Sequence, residues 1–306
     1  GYLDANNSFQ VANADGVRVQ VTQGRVDIEA GHVHTIKINV GEAKPVTTDI
    51  SDDGTYIVSG TRTEPVNIIG GSPTIYLKDA SINVGDGPAI NITGGTPTIH
   101  VTGENTIKAN ESLSNRSSGI YVAQGSSVTI EGNGTDDVLR VTGGTDGAAI
   151  GGYSDSGDKP CCNIVIKNVT LHAYAIDNFM FARAPGIGTT GGTCGRIEIS
   201  SAIVYARSFG DDSRSAPAIG AYGSVPEIVI TDSEIHAYRG SDNGTSYADY
   251  IGRGGNMTDY QGGQIQCGTG SITNTTVYKW GYDYSYDTSS NEGSVYYDEE
   301  GNEIPQ

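Results

Sequence analysis

The stretch "PAIGAYGSVPEIVITDSEIHAY" at residues 217–238 is the third statement of one pattern. "PGIGTTGGTCGRIEISSAIVYA" precedes it at 185–206, and "AAIGGYSDSGDKPCCNIVIKNVTLHAY" comes before that at 148–174. In each segment a small residue leads to Ile-Gly, a Gly-rich stretch follows, and alternating apolar residues close the segment beside a His or Tyr. A pattern restated every ~30 residues is typical of a repeat fold.

The isoleucine of this pattern sets the period. It recurs at Ile90, Ile120, Ile150, Ile187, Ile219 and Ile251, with gaps of 30, 30, 37, 32 and 32 residues. A second apolar series comprises Ile75 and Leu77, Ile99 and Val101, Val128 and Ile130, Ile164 and Ile166, Ile197 and Ile199, Ile228 and Ile230, and Ile272. A third comprises Ile82, Ile107, Leu139, Leu171, Val204, Ile235 and Val277. Three short strands per repeat predict an all-β fold, a right-handed parallel β-helix of about seven coils with the six isoleucines stacked in its core. A β-sandwich predicts no such period.

Composition agrees with this fold and excludes some partners. The 306 residues include 44 Gly and carry a net charge of −18, which argues against nucleic acid as a partner. No apolar run approaches the ~18–20 residues of a membrane span. We therefore expect a monomeric, extracellular or cell-surface protein, and a processed or truncated chain because it begins at Gly1.

Three regions are expected. Residues 1–60 lack the period and predict an N-terminal β cap or the remnant of a preceding β domain, with one or two hairpins in 17–40 punctuated by Gly24 and Gly31. Within this region, "SDDGTYIVSG" at 51–60 leads into the first coil. Residues 61–280 form the β-helix. Residues 281–306 are rich in Tyr and acidic side chains and predict a final hairpin around "YYDEEGNEI" or a loose tail.

Matching positions of successive coils form columns. Short polar residues recur two positions after the second strand's inward pair, at Asp79, Asn168, Ser201, Asp232 and Asn274. Such side chains tolerate left-handed backbone and predict a structural ladder at a bend, with a cation site as the alternative.

The cysteines form another column. The register places Cys161 beside Cys194, and Val225 separates Cys194 from Cys267. The spacing of adjacent coils fits a disulfide, but side chains stacked in parallel point poorly for one, so small buried thiols are the favoured expectation. No Cys/His spacing typical of a zinc site occurs.

Two outward columns follow the third series. The first comprises Asn83, Lys108, Arg140, His172, Tyr205, His236 and Tyr278, and the second comprises Gly85, Asn110, Thr142, Tyr174, Arg207, Tyr238 and Trp280. Over the last four coils they form an aromatic and cationic strip. Sugar rings stack on exposed aromatic faces, and His and Arg donate to hydroxyls and carboxylates, so the strip predicts a polysaccharide-binding surface. Cross-strand pairing that merely stabilises the sheet is the alternative.

The loops leaving the strip are long. Residues 175–186, 207–218 and 239–252 supply the candidate ligand residues Arg183 and Arg214 and the candidate metal ligands Asp177, Asp211, Asp212 and Asp249. Several carboxylates at this density could hold Ca²⁺, the only cofactor the sequence suggests. Solvated loop charges are the alternative.

An enzyme on the same scaffold is the alternative function. Polygalacturonases carry Asn-Thr-Asp, Asp-Asp, Gly-His-Gly and Arg-Ile-Lys, but here "GHV" at 31–33 lies outside the repeat, "DD" at 211–212 is unaccompanied, and Arg-Ile-Lys does not occur. Since fold alone confers no reaction, a lyase or glycoside hydrolase would have to use Asp177, Asp211, Asp212 or Asp249. A purely structural stalk is the third possibility.

The segments "GTYIVSG" at 54–60, "DASINVGDGPAI" at 79–90 and "IHVTGENTI" at 99–107, together with "AAIGG", resemble a family of bacterial surface β-helix proteins with carbohydrate-binding domains. The resemblance covers about residues 50–275 and rests on structural motifs. It implies non-catalytic polysaccharide binding, sometimes with Ca²⁺. "AGHVHTIKINV" at 30–40 is similar to the closing strands of fimbrillin-like adhesins, which implies a cell-surface adhesin.

A polysaccharide-binding role for the strip leads to two expectations. His172, Tyr174, Tyr205, His236, Tyr238 and Trp280 should face solvent on one side of the rod. If the ligand is a uronate, binding should strengthen as the pH falls through about 6.5, where imidazolium gains an anionic partner.

Overall fold

A computed structural model of the chain describes residues 43–46, 49–110, 116–144, 146–154, 158–161, 163–176, 184–211, 214–239, 247–256, 262–281 and a few short terminal strands. Within these residues every regular element is a strand. Seven coils stack as a parallel β-helix, which confirms the expected architecture. The described residues contain no helix with the length and apolar character of a membrane span.

The strands form three faces, and each of coils two to seven contributes one strand to each face. The first face comprises Val66–Ile69, Ile90–Gly94, Ile120–Val122, Ile150–Gly151, Ile187–Thr189, Ile219–Tyr222 and Ile251–Asn256, which begin coils one to seven in that order. The second comprises Thr55–Arg62, Thr74–Asn83, Thr98–Thr102, Ser127–Glu131, Asn163–Lys167, Ile197–Ser200, Ile228–Thr231 and Ser271–Thr273. The third comprises Glu104–Lys108, Val138–Thr142, Thr170–Tyr174, Ile203–Arg207, Glu234–Arg239 and Thr276–Gly281.

The two long strands belong to both the second and third faces. Thr55–Arg62 and Thr74–Asn83 bend at Gly60 and Asp79, where φ is 65° and 47°. The other members of the polar column, Asn168, Ser201, Asp232 and Asn274, have φ between 47° and 52°, so the bend ladder is confirmed. Asp79 also accepts a hydrogen bond from the Glu104 backbone N–H through Oδ1 at 3.2 Å, which ties one coil to the next.

The core follows the isoleucine column. Ile90, Ile120, Ile150, Ile187, Ile219 and Ile251 pair in continuous parallel register and are fully buried. The glycine after each of the last four isoleucines has a structural cause: Gly151, Gly188, Gly220 and Gly252 have φ between 129° and 141°. A Cβ on Gly188 would lie 1.6 Å from the Gly220 carbonyl oxygen, so only glycine allows the coils to approach this closely.

The expected register is wrong by two residues between coils two and three. Ile99 lies opposite Ile130 rather than Val128, and Asn105, not Ile107, lies opposite Leu139. Asn105 occupies an inward position and is buried. Its Oδ1 accepts from the Ala80 N–H at 2.8 Å and its Nδ2 donates to the Thr102 carbonyl at 3.0 Å. An amide whose hydrogen bonds are satisfied can replace an apolar inward residue, and periodicity of apolar residues does not detect it.

The cysteine expectation is also corrected. Cys161 and Cys194 form a disulfide between coils four and five with a Cα–Cα distance of 4.6 Å. Both lie in connections outside the strands, so their Cβ directions are not held parallel as stacked strand positions would be. Cys267 is a free, partly buried thiol, and burial raises its pKa.

The terminal regions differ in detail from the expectation. Lys44–Pro45 and Ile50 pair with strands of the first coils, and Val46, Ile50 and Val58 belong to the core, so the solenoid includes residues ahead of position 61.

In the N-terminal segment, Arg18–Thr22 pairs antiparallel with the upstream Ser8–Ala12 rather than within 17–40, and Tyr2–Leu3 pairs with Val26–Asp27. Residues 28–42, including the whole segment 30–40 that is similar to adhesins, lie outside the described residues. At the C-terminus, Tyr296–Tyr297 and Glu303–Ile304 form the expected antiparallel pair, and the gap before them, 282–295, lies outside the described residues.

Candidate functional site

The two outward columns of the third face hold the predicted site residues. In register, the first column comprises Ser81, Thr106, Arg140, His172, Tyr205, His236 and Tyr278. The second comprises Asn83, Lys108, Thr142, Tyr174, Arg207, Tyr238 and Trp280. The last four coils match the expectation, whereas Asn83 and Lys108 belong to the second column because of the register difference at Asn105.

The rings of the first column stack face to face. We call His172, Tyr205, His236 and Tyr278 the aromatic ladder. Ring centroids are separated by 4.6 Å between His172 and Tyr205, 4.4 Å between Tyr205 and His236, and 4.6 Å between His236 and Tyr278. The interplanar angles are 6°, 16° and 19°. The ring faces therefore contact one another, and the ring edges are the part directed away from the rod.

The second column packs against the end of the ladder. The ring centroid of Trp280 lies 6.0 Å from that of Tyr238 and 6.1 Å from that of His236, and the indole is nearly parallel to both rings. The Trp280 indole N–H donates to Nδ1 of His236 at 3.2 Å. Because an indole nitrogen only donates, Nδ1 accepts and the ring proton lies on Nε2, which donates to Glu234 Oε1 at 2.8 Å. These bonds fix the tautomer and orientation of His236.

Exposure of the strip is lower than expected. His236, Tyr238 and Trp280 are only 6%, 8% and 5% exposed, so the expectation that they face solvent is wrong. His172, Tyr174, Tyr205 and Arg207 are half-buried, and Tyr278 is 40% exposed. The spacing of neighbouring strands is close to the separation of two stacked aromatic rings. Rings on successive coils therefore stack on one another, and their faces are hidden from solvent. Face-on sugar stacking along the whole strip is therefore not available.

His172 lies at the other end of the ladder, in a basic environment. Its Nδ1 is 2.8 Å from the Tyr174 hydroxyl oxygen. Burial is the main cause that lowers the pKa of His172 to about 4, and the positive charge of Arg140 is the next. The imidazole is consequently neutral at pH 6.5, so the expected gain of uronate binding near that pH does not come from His172 in the unliganded protein.

Asp249 has a structural role. Its side chain is fully buried, Oδ2 accepts from the Arg253 N–H at 3.1 Å, and Oδ1 accepts from the Gln264 N–H at 3.0 Å. The carboxylate thereby joins two backbone segments at the last coil. In the described part of the chain no group of three or more His, Cys, Asp and Glu is arranged to hold a metal.

The remaining loop residues are placed only in part. Asp177, Asp212 and Arg183 lie outside the described residues. Asp211 and Arg214 pair with each other in a short hairpin of Gly210–Asp211 and Arg214–Ser215, and the latter strand pairs antiparallel with Asn256 and Gly255 at the edge of the first face. Their side chains are likewise outside the described structure. The hairpin backbone nonetheless ties the loop of coil five to coil seven.

Some features of this face were missed from sequence. Phe209 packs with Ala175 and Ala184 in a small apolar cluster apart from the main core, and these residues lie near the ends of the long loops at 175–186 and 207–218. Glu234 and Arg140 contact or perturb the ladder histidines, yet were not chosen as site residues. Glu234 lies two residues before His236 on the same strand, and Arg140 lies directly across from His172. These outward positions could have identified both residues from the sequence.

A cluster of charged and aromatic side chains lies on the second face. Glu131 contacts His100 Nδ1 at 3.0 Å and Lys167 Nζ at 2.5 Å, and these partners, with His100 first, lower the pKa of Glu131 to about 2. Tyr76 stacks on His100 at 4.8 Å. This arrangement matches the cross-strand pairing that stabilises a sheet.

No family model, curated protein or solved structure matches the chain.

Proposed function

We propose that this is a non-catalytic cell-surface protein that binds an extended polysaccharide along the third face, through the edges of the aromatic ladder. The observation that carries the proposal is the regular spacing of 4.4–4.6 Å between successive ladder rings over four coils. A sugar residue advances by about one such step, so coils four, five and seven can each offer a polar ring edge to a chain that lies parallel to the rod. His236 of coil six is buried, and both of its ring nitrogens are engaged within the protein.

The chemistry of the edges suits hydroxyl-rich ligands. Tyr205 and Tyr278 present phenolic oxygens, which both donate and accept, and His172 presents Nε2 because Nδ1 is engaged by Tyr174. Tyr278 is the most exposed ring of the ladder, so it is the one ring with area to stack on a sugar. Arg207 adds a donor in the adjacent column. The resemblance of residues 50–275 to surface carbohydrate-binding proteins agrees with this function and with an extracellular location.

A purely structural rod is the second candidate, and the stacking itself favours it. Aromatic pairs contribute about 0.5–1.5 kcal/mol each, which is sufficient reason for a ladder to exist without a ligand. The two functions differ in one respect: the rod requires the rings, whereas glycan binding also requires the polar atoms at their edges.

The test therefore removes edge atoms and keeps the rings. Wild type and Tyr205→Phe are compared on a glycan array with and without Ca²⁺, and affinities of the hits are measured by calorimetry. Loss of one hydrogen bond should weaken binding several-fold, by about 1 kcal/mol. Tyr121→Phe, on the first face, is the matched control and should bind normally.

Alanine substitution of Tyr174, Tyr205 and Tyr238 together would not isolate an effect on binding. Tyr238 is buried and Tyr205 lies between two rings, so their truncation would disturb folding as well as binding. Absence of any glycan ligand would leave the structural rod. Turnover of a bound polysaccharide, detected as new reducing ends or unsaturated products, would overturn the non-catalytic proposal in favour of a lyase or hydrolase.

A further inference from the structure

The N-terminal end of the aromatic ladder is occupied by a cation rather than a ring. Arg140 lies directly opposite His172 in the register of adjacent coils. The residue is half-buried, and its Nη1 is buried without a hydrogen-bond partner among the described residues. Buried donors of a guanidinium are nearly always paired, because an unmade bond to a charged group is costly.

The surroundings of this pair are basic or neutral. The titratable and charged groups that face His172 are Arg140 from the preceding coil, Tyr174 on its own strand, Tyr205 and Arg207 from the following coil, and His236 one coil further. Within the residues that the structure describes, no carboxylate lies at ion-pair distance from Arg140.

Arg196 on the second face shows the contrasting arrangement. Its guanidinium lies 3.0 Å from Glu198 and 3.4 Å from Glu227, so its charge is neutralised by its own chain. Arg196 thus has carboxylate partners, whereas Arg140 has none among the described residues. Arg140 is consequently the one of the two suited to receive an anion from outside.

We propose that Arg140 and His172 form an oxyanion subsite, which binds a carboxylate or sulfate ester of the ligand at the N-terminal end of the ladder. This deepens the proposed function by naming the charge of the glycan, and it rests on that function. The planar guanidinium fork matches both oxyanions, and His172 Nε2 is the imidazole nitrogen not engaged by Tyr174. Arg207, across from Tyr174, adds positive potential on the far side.

The subsite couples ligand binding to a proton. In the unliganded protein burial and the charge of Arg140 keep His172 neutral. A bound oxyanion places a negative charge against both groups, which favours the imidazolium and raises the pKa of His172. Binding therefore takes up a proton and strengthens as the pH falls, although the free site is neutral at pH 6.5.

The first experiment needs no variant. The pKa of His172 is measured by NMR titration of the imidazole in sulfate and in chloride at equal ionic strength. We expect sulfate to raise this pKa by roughly one unit. The increase should disappear in Arg140→Gln and persist in Arg196→Gln. An identical His172 pKa in the two salts with wild type would overturn the proposal, and this result stands even if Arg140→Gln fails to fold.

The second experiment separates this inference from the proposed function. Matched neutral, uronate-containing and sulfated oligosaccharides are titrated into wild type and Arg140→Gln. We expect the variant to lose at least about tenfold in affinity for the charged ligands only, and the charged member bound more tightly identifies the source of the oxyanion. Equal losses for neutral and charged ligands, or none, contradict the subsite and leave polysaccharide binding intact. A sulfate effect on His172 without binding of any oligosaccharide contradicts polysaccharide binding and leaves an oxyanion site.

Discussion

Coils one to three and coils four to seven share one core but carry different surfaces. On the third face, the first outward column changes from Ser81, Thr106 and Arg140 to the four rings of the aromatic ladder. On the first face, the position after the inward residue changes from Asn67, Asn91 and Tyr121 to Gly151, Gly188, Gly220 and Gly252. Both changes occur between coils three and four.

The inward columns cross this boundary without interruption. Ile120 pairs with Ile150, and Leu139 pairs with Leu171. A parallel β-helix separates its scaffold from its surface in this way, because alternation along each strand assigns one set of residues to the core and the other to the outside. On the third face the difference between the two halves is therefore a difference in surface chemistry. A ligand site is expected at the aromatic ladder of the C-terminal half, together with Arg140 at its N-terminal end.

Breaking the glycine column should have the largest effect. In Gly188→Ala the new Cβ would lie 1.6 Å from the Gly220 carbonyl oxygen, at a φ of 134° that L-residues rarely adopt. We expect a loss of about 3 kcal/mol or more in the free energy of unfolding, measured in urea.

The N-terminal half offers the matched control. A Cβ on Gly85 meets nothing within 4 Å, so Gly85→Ala should change stability by no more than about 0.5 kcal/mol. Similar stabilities for the two variants would show that the close approach of the Gly188 and Gly220 backbones does not constrain the fold.

Removing a ladder ring should have an intermediate effect. Tyr205 stacks on His172 and on His236, so Tyr205→Ala loses two aromatic contacts. We expect a loss of about 2 kcal/mol in the free energy of unfolding, from pair energies of about 0.5–1.5 kcal/mol each. Thr106→Ala, in the same column of coil two, should cost about 0.5 kcal/mol or less. Equal losses would mean that the ladder stabilises nothing and that its rings are retained for another reason.

The core could be predicted from sequence, and the side-chain arrangement of the site could not. The isoleucine column and the bends at Asp79 and Asn274 follow from spacing and residue type, because burial and left-handed backbone restrict which residues fit. The register between coils two and three was misassigned because Asn105 is an inward polar residue, whose hydrogen bonds allow its amide to be buried.

Ring orientation is a different kind of unknown. An outward tyrosine can lie flat on the sheet or stack on the next coil, and alternation along the strand is the same in both cases. The fixed distance between coils favours the stacked arrangement, which buried the faces that we expected to meet sugar. The disulfide escaped prediction for a related reason, because Cys161 and Cys194 lie in connections whose geometry no periodicity describes.

The smallest expected effect is a pH dependence that distinguishes the third face from the second. The pKa of His172 falls from 6.5 to about 4 on folding, so the folded protein favours the neutral ring and the unfolded chain binds the proton more readily. The stability that this contributes is fully present above pH 6.5 and is lost as the pH falls towards 4. Glu131 titrates in a lower pH range: its pKa falls from 4.5 to about 2, so its contribution to stability is present above pH 4.5 and is lost as the pH falls towards 2.

Between pH 7 and 5 wild type should therefore lose on the order of 1–2 kcal/mol in the free energy of unfolding through His172, allowing for solvent screening of a half-buried ring. Urea unfolding at the two pH values should show a smaller loss in His172→Asn and an unchanged loss in Glu131→Gln. If His172→Asn loses as much stability as wild type over this range, the burial and positive charge around His172 do not keep its ring neutral, and the basic end of the ladder is not the environment described above.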